Sequence, residues 1–466
     1  MSDVAVEARA IATVPSAFPL DAEGTEAGWG PVLDSRLRLG ARGAFGAARA
    51  EGEIDVLSGQ IAGDSWSLSG LDERGRAVRD AVSLAGLVPR KALIGGRLPW
   101  FDLELGLTTS HWGRGMIANH GATEPEFGRT DFGDRAIRVR LATQPFGTSL
   151  EDRRPIYLVV AADRVVADDS ARMSEGDVAW QGLTAMLLAP DGLTGDFVRQ
   201  IGIYAVWRDQ TDRAGRRTTA AVGDATGTWR VPVREAWLEF GWESAFVAGR
   251  TDVARTYAAP VSLPISSAGA VGEVALSTDR GRLGLRGAVA SGDRAPDDDR
   301  VTDFRFDRDY DVGMVLFDEV ASAVDLRAYA LATDPDRAAV PPEGVETLVA
   351  EGAFHAAAAL QPVARATVVP GLEVGVGAVA AWSTSPIAHP YYAFRAGGVP
   401  TNAGNLPATG RWLGSELDGS IRATSPASWV VRPEVRVQGG LAWPSVGYLP
   451  GAGVVEHLLV TVFGRY

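Results

Sequence analysis

The sequence predicts an all-β protein, a transmembrane antiparallel up-and-down β-barrel of about 18 strands. Three observations carry this expectation. Segments of about ten residues alternate apolar with polar side chains, the period-two signature of a strand. Clusters of Gly, Pro, Asp and Ser part them, and the connections alternate long and short, as they do when long loops face outside and tight turns face the periplasm. The chain also ends in mid-strand on "VEHLLVTVFGRY" (455–466), with Leu458, Val460, Val462, Gly464 and Tyr466 on one face and His457, Leu459, Thr461, Phe463 and Arg465 on the other. A terminal strand needs a fixed partner to avoid fraying, and in a closed barrel that partner is the first strand.

In chain order, residues 1–30 are assigned to a periplasmic N-terminal segment and 31–466 to the barrel. "MSDVAVEARAIATVPSAF" lacks the charged and apolar regions of a signal peptide, so an outer-membrane location implies a processed chain. A first long strand is expected within 33–57, followed by 90–98 and 101–111, where Phe101, Leu103 and Leu105 oppose Asp102 and Glu104. Next come 133–144, with Ile137, Val139 and Leu141 against Arg138 and Arg140, then 154–164, 176–189 and 196–208. The stretch 229–242 sets Leu238, Phe240 and Trp242 against Glu235, Trp237 and Glu239, and 245–253 and 271–278 follow. Strand 281–291 places Leu283 and Leu285 opposite Arg282 and Arg286; 311–318, 322–332, 345–360 and 371–383 continue the series. Strand 411–423 sets Leu413, Leu417 and Ile421 against Glu416, Asp418 and Arg422. In 429–442, Val431, Val435 and Val437 oppose Arg432, Glu434 and Arg436, and 454–466 closes the ring. An even count returns both ends to the periplasmic side.

Composition removes other classes. The 466 residues include 55 Gly and 13 Trp but no Cys, which excludes disulfide scaffolds and thiolate chemistry. A net charge of −13 argues against a nucleic-acid partner. No run of 18 apolar residues predicts a membrane-spanning helix. A soluble antiparallel sheet shows the same alternation but not the alternating loop lengths. A β-propeller would repeat every 40–50 residues, and no such repeat is found.

Enzyme signatures are missing. His111, His120, His355, His389 and His457 are scattered, with no pair at metal-binding helical spacing. "DDDRVTD" (297–303) offers oxygen ligands for calcium but lacks the placed Gly and Glu of an EF-hand, so Asp297, Asp298 and Asp299 read as a solvated outer acidic loop. "GVGAVA" (375–380) reads as thinning of the barrel wall. There is no GxSxG motif or P-loop, and a hydrolase built into the wall would need a Ser–His pair on neighbouring strands. No cofactor or metal is expected.

Function is therefore sought in the lumen. Arg138, Arg140, Glu235, Glu239, Arg282, Arg286, Glu416, Asp418, Arg422, Arg432, Glu434 and Arg436 fall on predicted inward faces. They can pair across strands as a structural ladder, each pair worth about 0.2–1 kcal/mol. They can also form a mixed-charge constriction that favours small polar solutes. Segments 112–132 and 384–410 are long enough to plug such a lumen.

The terminal strand ending on Tyr466 resembles the closing strand of bacterial outer-membrane proteins, which implies recognition of Tyr466 by the barrel-assembly machinery. "WLGSELDGSI" (412–421) looks like the Leu-Gly-x-Glu-Leu-Asp strand of alginate-export and related porin-like barrels. "SGDRAPDDDRVTDF" and "RDYDVG" resemble the layout around a long external loop in that superfamily, over about the last 200 residues. "HWGRGMIANHG" (111–121) is similar to uncharacterised predicted barrels of myxobacterial type. The superfamily resemblance implies an 18-strand barrel and allows an export conduit for an anionic polysaccharide.

The expectation that results is a passive, porin-like channel of the Gram-negative outer membrane for small polar or charged solutes. Its partners would be outer-membrane lipid, the assembly machinery and the solute. Two alternatives stay open: the polysaccharide conduit, favoured by lumen arginines without matching acids, and a plugged surface barrel, favoured by inward-folded loops.

Overall fold

Strands with one apolar face satisfy their backbone groups only by pairing, and in lipid every edge must be closed. The computed structural model describes residues 2–27, 30–63, 67–68, 71–72, 87–130, 133–146, 156–189, 199–253, 262–293, 299–338, 344, 349–350, 352–408, 410–426 and 431–466. Eighteen strands form one closed antiparallel sheet. They are β1 (Ser2–Pro15), β2 (Val32–Phe45), β3 (Ala48–Gly63), β4 (Val88–Arg97), β5 (Phe101–Thr109) and β6 (Arg135–Thr143). Then come β7 (Ile156–Ala167), β8 (Val178–Leu188), β9 (Arg199–Thr211), β10 (Arg217–Val233), β11 (Ala236–Thr251) and β12 (Leu263–Thr278). The ring is completed by β13 (Gly281–Ala290), β14 (Ala357–Val369), β15 (Leu372–Ser383), β16 (Trp412–Thr424), β17 (Arg432–Pro444) and β18 (Val455–Arg465). Each pairs with its neighbours in sequence, and β1 joins β18 with Glu7 opposite Arg465. The Val6 and Tyr466 amides exchange hydrogen bonds of 3.2 and 3.0 Å across that seam.

This seam corrects the N-terminal assignment: residues 2–15 lie in the barrel wall, so no periplasmic segment occupies the whole of 1–30. Outward Val4, Val6 and Val14 alternate with inward Arg9, Ile11 and Thr13, so the stretch carries its own strand signal. The expected first strand within 33–57 is the hairpin β2–β3, and most of β10 lies ahead of the expected stretch 229–242. The segments 311–318 and 322–332 are not strands but parts of a loop that holds helix α1 (Ser322–Thr333). The pair 229–242 and 245–253 is the end of β10 followed by the single strand β11, and 345–360 gives way to β14.

Outward side chains form the lipid-facing band. Ile94, Leu105, Val139, Phe240, Leu285 and Leu417 are exposed on the protein surface, on alternate positions of their strands. Trp180, Trp207, Trp382, Trp412 and Trp443 ring the long-loop end, where amphipathic indoles favour a membrane interface. Trp382 and Trp412 meet edge-to-face at 5.0 Å between centroids.

The apolar core lies inside the barrel. The described parts of two long connections, 110–134 and 291–356, fold inward and bring Met116, Phe127, Phe306, Met314, Phe317 and Phe354 against wall residues Ile11, Ala245, Val271, Val379 and Leu459. Burying each large side chain contributes about 1.5–3 kcal/mol, which anchors both loops. Phe127 fills the space left by Gly377, where an added Cβ would stand 2.4 Å from the ring, so the glycine-rich stretch 375–380 is a seat for a loop side chain. The segment 384–410 carries helix α2 (Pro390–Arg395), which packs on α1 through Tyr391 and Tyr392.

Candidate functional site

Inward charge on the wall is almost entirely paired. Arg138 makes two bonds of 2.7 Å to Asp163 and one of 3.0 Å to Ser110. Arg140 reaches Asp102 at 3.0 Å and Glu104 at 2.7 Å, where Arg49 also binds both acids. Because β6 runs antiparallel to β5 with Arg140 opposite Glu104, these groups meet through register alone. Arg422 on β16 and Glu434 on β17 pair diagonally at 2.8 Å, Arg422 standing opposite Arg436 in the register.

The second set meets the incoming loop 110–134. Arg282 binds Glu126 at 2.7 Å and Glu239 at 3.5 Å, and also pairs with Glu273; Glu239 in turn faces Arg230 at 3.4 Å. Arg436 donates to the Pro125 carbonyl at 3.0 Å and to that of Glu126. Gly128 is bound through both its amide and its carbonyl to Gln438, at 3.1 and 3.0 Å. Further along, Arg129 pairs with Asp34 at 2.9 Å, and Arg9 donates to the Thr130 carbonyl at 2.9 Å. The loop thus crosses the lumen from β11 round to β1 and β2, and its Glu124–Glu126 tip meets a row of guanidinium groups.

The loop 291–356 lies beside it. Arg286 donates to the Asp311 carbonyl at 3.1 Å and to Gln361 at 3.2 Å, with its guanidinium 5.5 Å from the Tyr310 ring centre. Glu416, 2% exposed, accepts the amides of Met314, Val315 and Leu316 at 2.5, 3.1 and 2.6 Å. Asp418 is buried two positions along the same inner face. At the outer end Asp134, Asp168, Asp169, Asp307 and Asp309 gather round Arg208 and Arg308, with Arg208–Asp168 at 2.6 Å and Arg308–Asp169 at 2.7 Å. Burial, added to the charges of Asp169, Asp134 and Asp309, pushes the Asp307 carboxyl well above the usual range. Burial also acts on Asp168, but Arg208 outweighs it and holds that carboxyl low.

Two residues expected on the lumen face lie elsewhere. Glu235 sits in the two-residue turn between β10 and β11, exposed, because the chain reverses at 234–235, inside the stretch expected as one strand. Arg432 opens β17 at the turn end, where the wall meets solvent. Asp299 is exposed beside Arg300, at 3.5 Å; Asp297 and Asp298 lie outside the described residues. Asp307 and Asp309, further along the same connection, are buried. Glu243, Asp224, Glu273 and Glu126 escaped the sequence reading. Glu243 continues the inward series of Glu239 by two strand positions, which was a usable signal; Glu126 lies in a loop without periodicity. Among the described residues no group of acids or histidines is arranged to hold a metal ion.

No protein-family model matches the chain, and no curated protein matches it in sequence. Solved structures do match over its whole length. Acinetobacter baumannii OccAB1 aligns at a TM-score of 0.56 and 10% identity, covering 100% of this chain and 96% of that one. Pseudomonas aeruginosa OccD3 (OpdP) gives 0.54 and 10%, covering 100% and 91%. The outer membrane protein opdK from Pseudomonas aeruginosa gives 0.51 and 10%, covering 100% and 99%. At such identities the likeness speaks for architecture, and the chain has the fold of outer-membrane β-barrel proteins: 18 antiparallel strands closed on themselves.

Proposed function

We propose that the chain is a passive channel of a Gram-negative outer membrane for small charged or polar solutes. The observation that carries this is the charge-lined inner face: arginines and carboxylates on facing walls, with the Glu124–Glu126 tip set among Arg282, Arg365 and Arg436. Opposite charges across a narrow passage orient polar solutes and disfavour apolar ones. Tyr466 and the strand before it serve as the signal for assembly into the membrane.

The apolar contact between the two inward loops favours a second reading, a barrel closed at rest. An anionic-polysaccharide conduit draws no support from the lumen charge, since the inward arginines have acids beside them. Purified protein in a planar bilayer is expected to give discrete conductance steps with weak ion selectivity. Absence of conductance at every voltage would replace the channel with a plugged surface barrel, and strong anion selectivity would revive the polymer conduit.

A further inference from the structure

Near the short-turn end of the barrel, four neighbouring strands lose bulk on their lipid side. Register lines up their outward side chains in rows across β2, β3, β4 and β5. The row nearest the turns reads Phe45, Ala48, Gly96, Leu103. The next reads Gly43, Ala50, Ile94, Leu105, and the third Ala41, Gly52, Ala92, Leu107. Beyond them Leu39 and Ile54 restore the bulk on β2 and β3. A small side chain leaves a dent in a lipid-facing wall, and here the dents adjoin over about 13 Å of strand. They merge into an apolar cavity of about 910 Å³, walled by Phe45, Ile94, Leu103 and Leu105. No described atom comes within 4 Å of a Cβ placed on Gly43 or Gly52, so the space over the floor holds no described part of the protein.

The chemistry of the occupant follows from the floor. Ladder pairing on both sides of β3 and β4 uses the backbone groups there, so the cavity favours an apolar guest. The charges of these strands alternate to the lumen side, where Arg49 binds Asp102 and Glu104. The cavity is continuous with the lipid-facing band and lies in its periplasmic half, the half in which Phe45, 91% exposed, and Trp100, 64% exposed, reach the headgroup level. A second copy of the chain is a poorer fit. The cavity is lined by eleven residues, whereas a stable protein interface takes about 20–30 a side. Its volume lies at the upper end of small-molecule sites, about 300–1,000 Å³. Among acyl chains the hydrophobic effect favours no contact over another, so packing decides. On a flat wall a chain meets protein on one side; in this cavity it meets a floor and flanking walls, and an empty cavity would forfeit those dispersion contacts.

We propose that the outward cavity on β2–β5 binds the acyl chains of one phospholipid of the periplasmic leaflet, held by shape and indifferent to the charge of its headgroup. Ala48, Ala50, Gly43 and Gly96 make the floor, and any larger residue there takes the place of the lipid. The site faces away from the lumen, so it stands whether or not the barrel conducts.

The test is retention of lipid by the full chain. Protein folded into vesicles of phosphatidylcholine, or of phosphatidylglycerol, is extracted into mild detergent and weighed intact by native mass spectrometry. One phospholipid per barrel is expected from either vesicle. Ala50→Phe and, separately, Ala48→Leu should each lower the lipid-bound fraction at least tenfold. Ala221→Phe, an enlargement of an exposed outward position on β10, should leave it unchanged. If Ala50→Phe fails to fold, Ala48→Leu carries the test. A wild-type barrel that keeps no lipid, or full retention by the cavity variants, overturns the site. Equal loss from Ala221→Phe overturns it too, as does retention of phosphatidylglycerol alone, which would mean that charge and not shape selects. A dimer that the cavity variants convert to monomer would replace the lipid with a second copy of the chain.

Discussion

Leu285 and Arg286 are adjacent, yet substitution of each tests a different solvent. Leu285 points outward and is 45% exposed on the protein surface, hence to acyl chains. Leu285→Arg, like Leu238→Arg, should cost about 2–4 kcal/mol if near the midplane, read as a lower urea midpoint for barrels in vesicles. Arg286 faces in and donates to the Asp311 carbonyl and Gln361, so Arg286→Leu strands buried acceptors. The expected loss is about 1–3 kcal/mol, with greater mobility of the loop 291–356. Arg138 is a sharper case. Asp163 is 1% exposed and both its oxygens bind that guanidinium. Arg138→Ala should therefore cost about 3–5 kcal/mol by leaving a buried carboxylate without its counter-charge, held only by the Gln181 amide, and Arg138→Ala with Asp163→Ala should recover most of it. If the double variant unfolds no later than the single one, the pair is not the cause.

At the level of elements, the loop 110–134 carries its own pH dependence. Burial, with His111, Lys91, Arg90 and Arg38 nearby, brings His120 down to about 4 from its ordinary 6.5. Its Nδ1 accepts the Ala122 amide at 3.2 Å, which requires the neutral ring. With the loop out, the ring titrates near 6.5; with it in, near 4. The contribution is whole above 6.5 and is lost as the pH falls toward 4, because the released state binds the proton first. Hydrogen exchange of amides 110–130 should quicken across that window, and His120→Gln should flatten the profile. Periodicity made most strands legible, including β5, β6, β13, β16, β17 and β18. It failed at α1, where Val324, Leu326, Ala328 and Ala330 alternate with Asp325, Arg327 and Tyr329 as a strand would. A helix enclosed by a barrel is covered on nearly all sides, so it has no polar face to reveal its period. The start of β10 was lost for the opposite reason: Thr, Ala and Gly in "RTTAAVGDATG" give the alternation little contrast. The arginines of the lumen could be read from parity, but not their partners in loops, since no period says where Glu124 or Glu126 will land.

For the whole molecule, closure depends on β1. β2 and β18 run in the same direction on either side of it, so they cannot replace it with an antiparallel pair. A closed barrel unfolds slowly, so unboiled protein is expected to run anomalously on a denaturing gel; deleting residues 2–15 should abolish that behaviour, and a synthetic peptide of that sequence should restore it in part. Normal heat-modifiable migration of the deleted form would mean that the ring closes some other way. The seam also orders assembly in time. Glu7 and Arg465 are 458 positions apart and bond at 3.0 Å. The logarithmic penalty for joining ends so distant is on the order of 5 kcal/mol, which the paired backbones repay only once β18 has been made. Throughout synthesis β1 therefore presents one bare edge, the kind on which foreign strands dock. A chaperone or insertase that shields this edge would govern yield more than any interaction in the finished barrel, and the first strand of the barrel is the last to be satisfied.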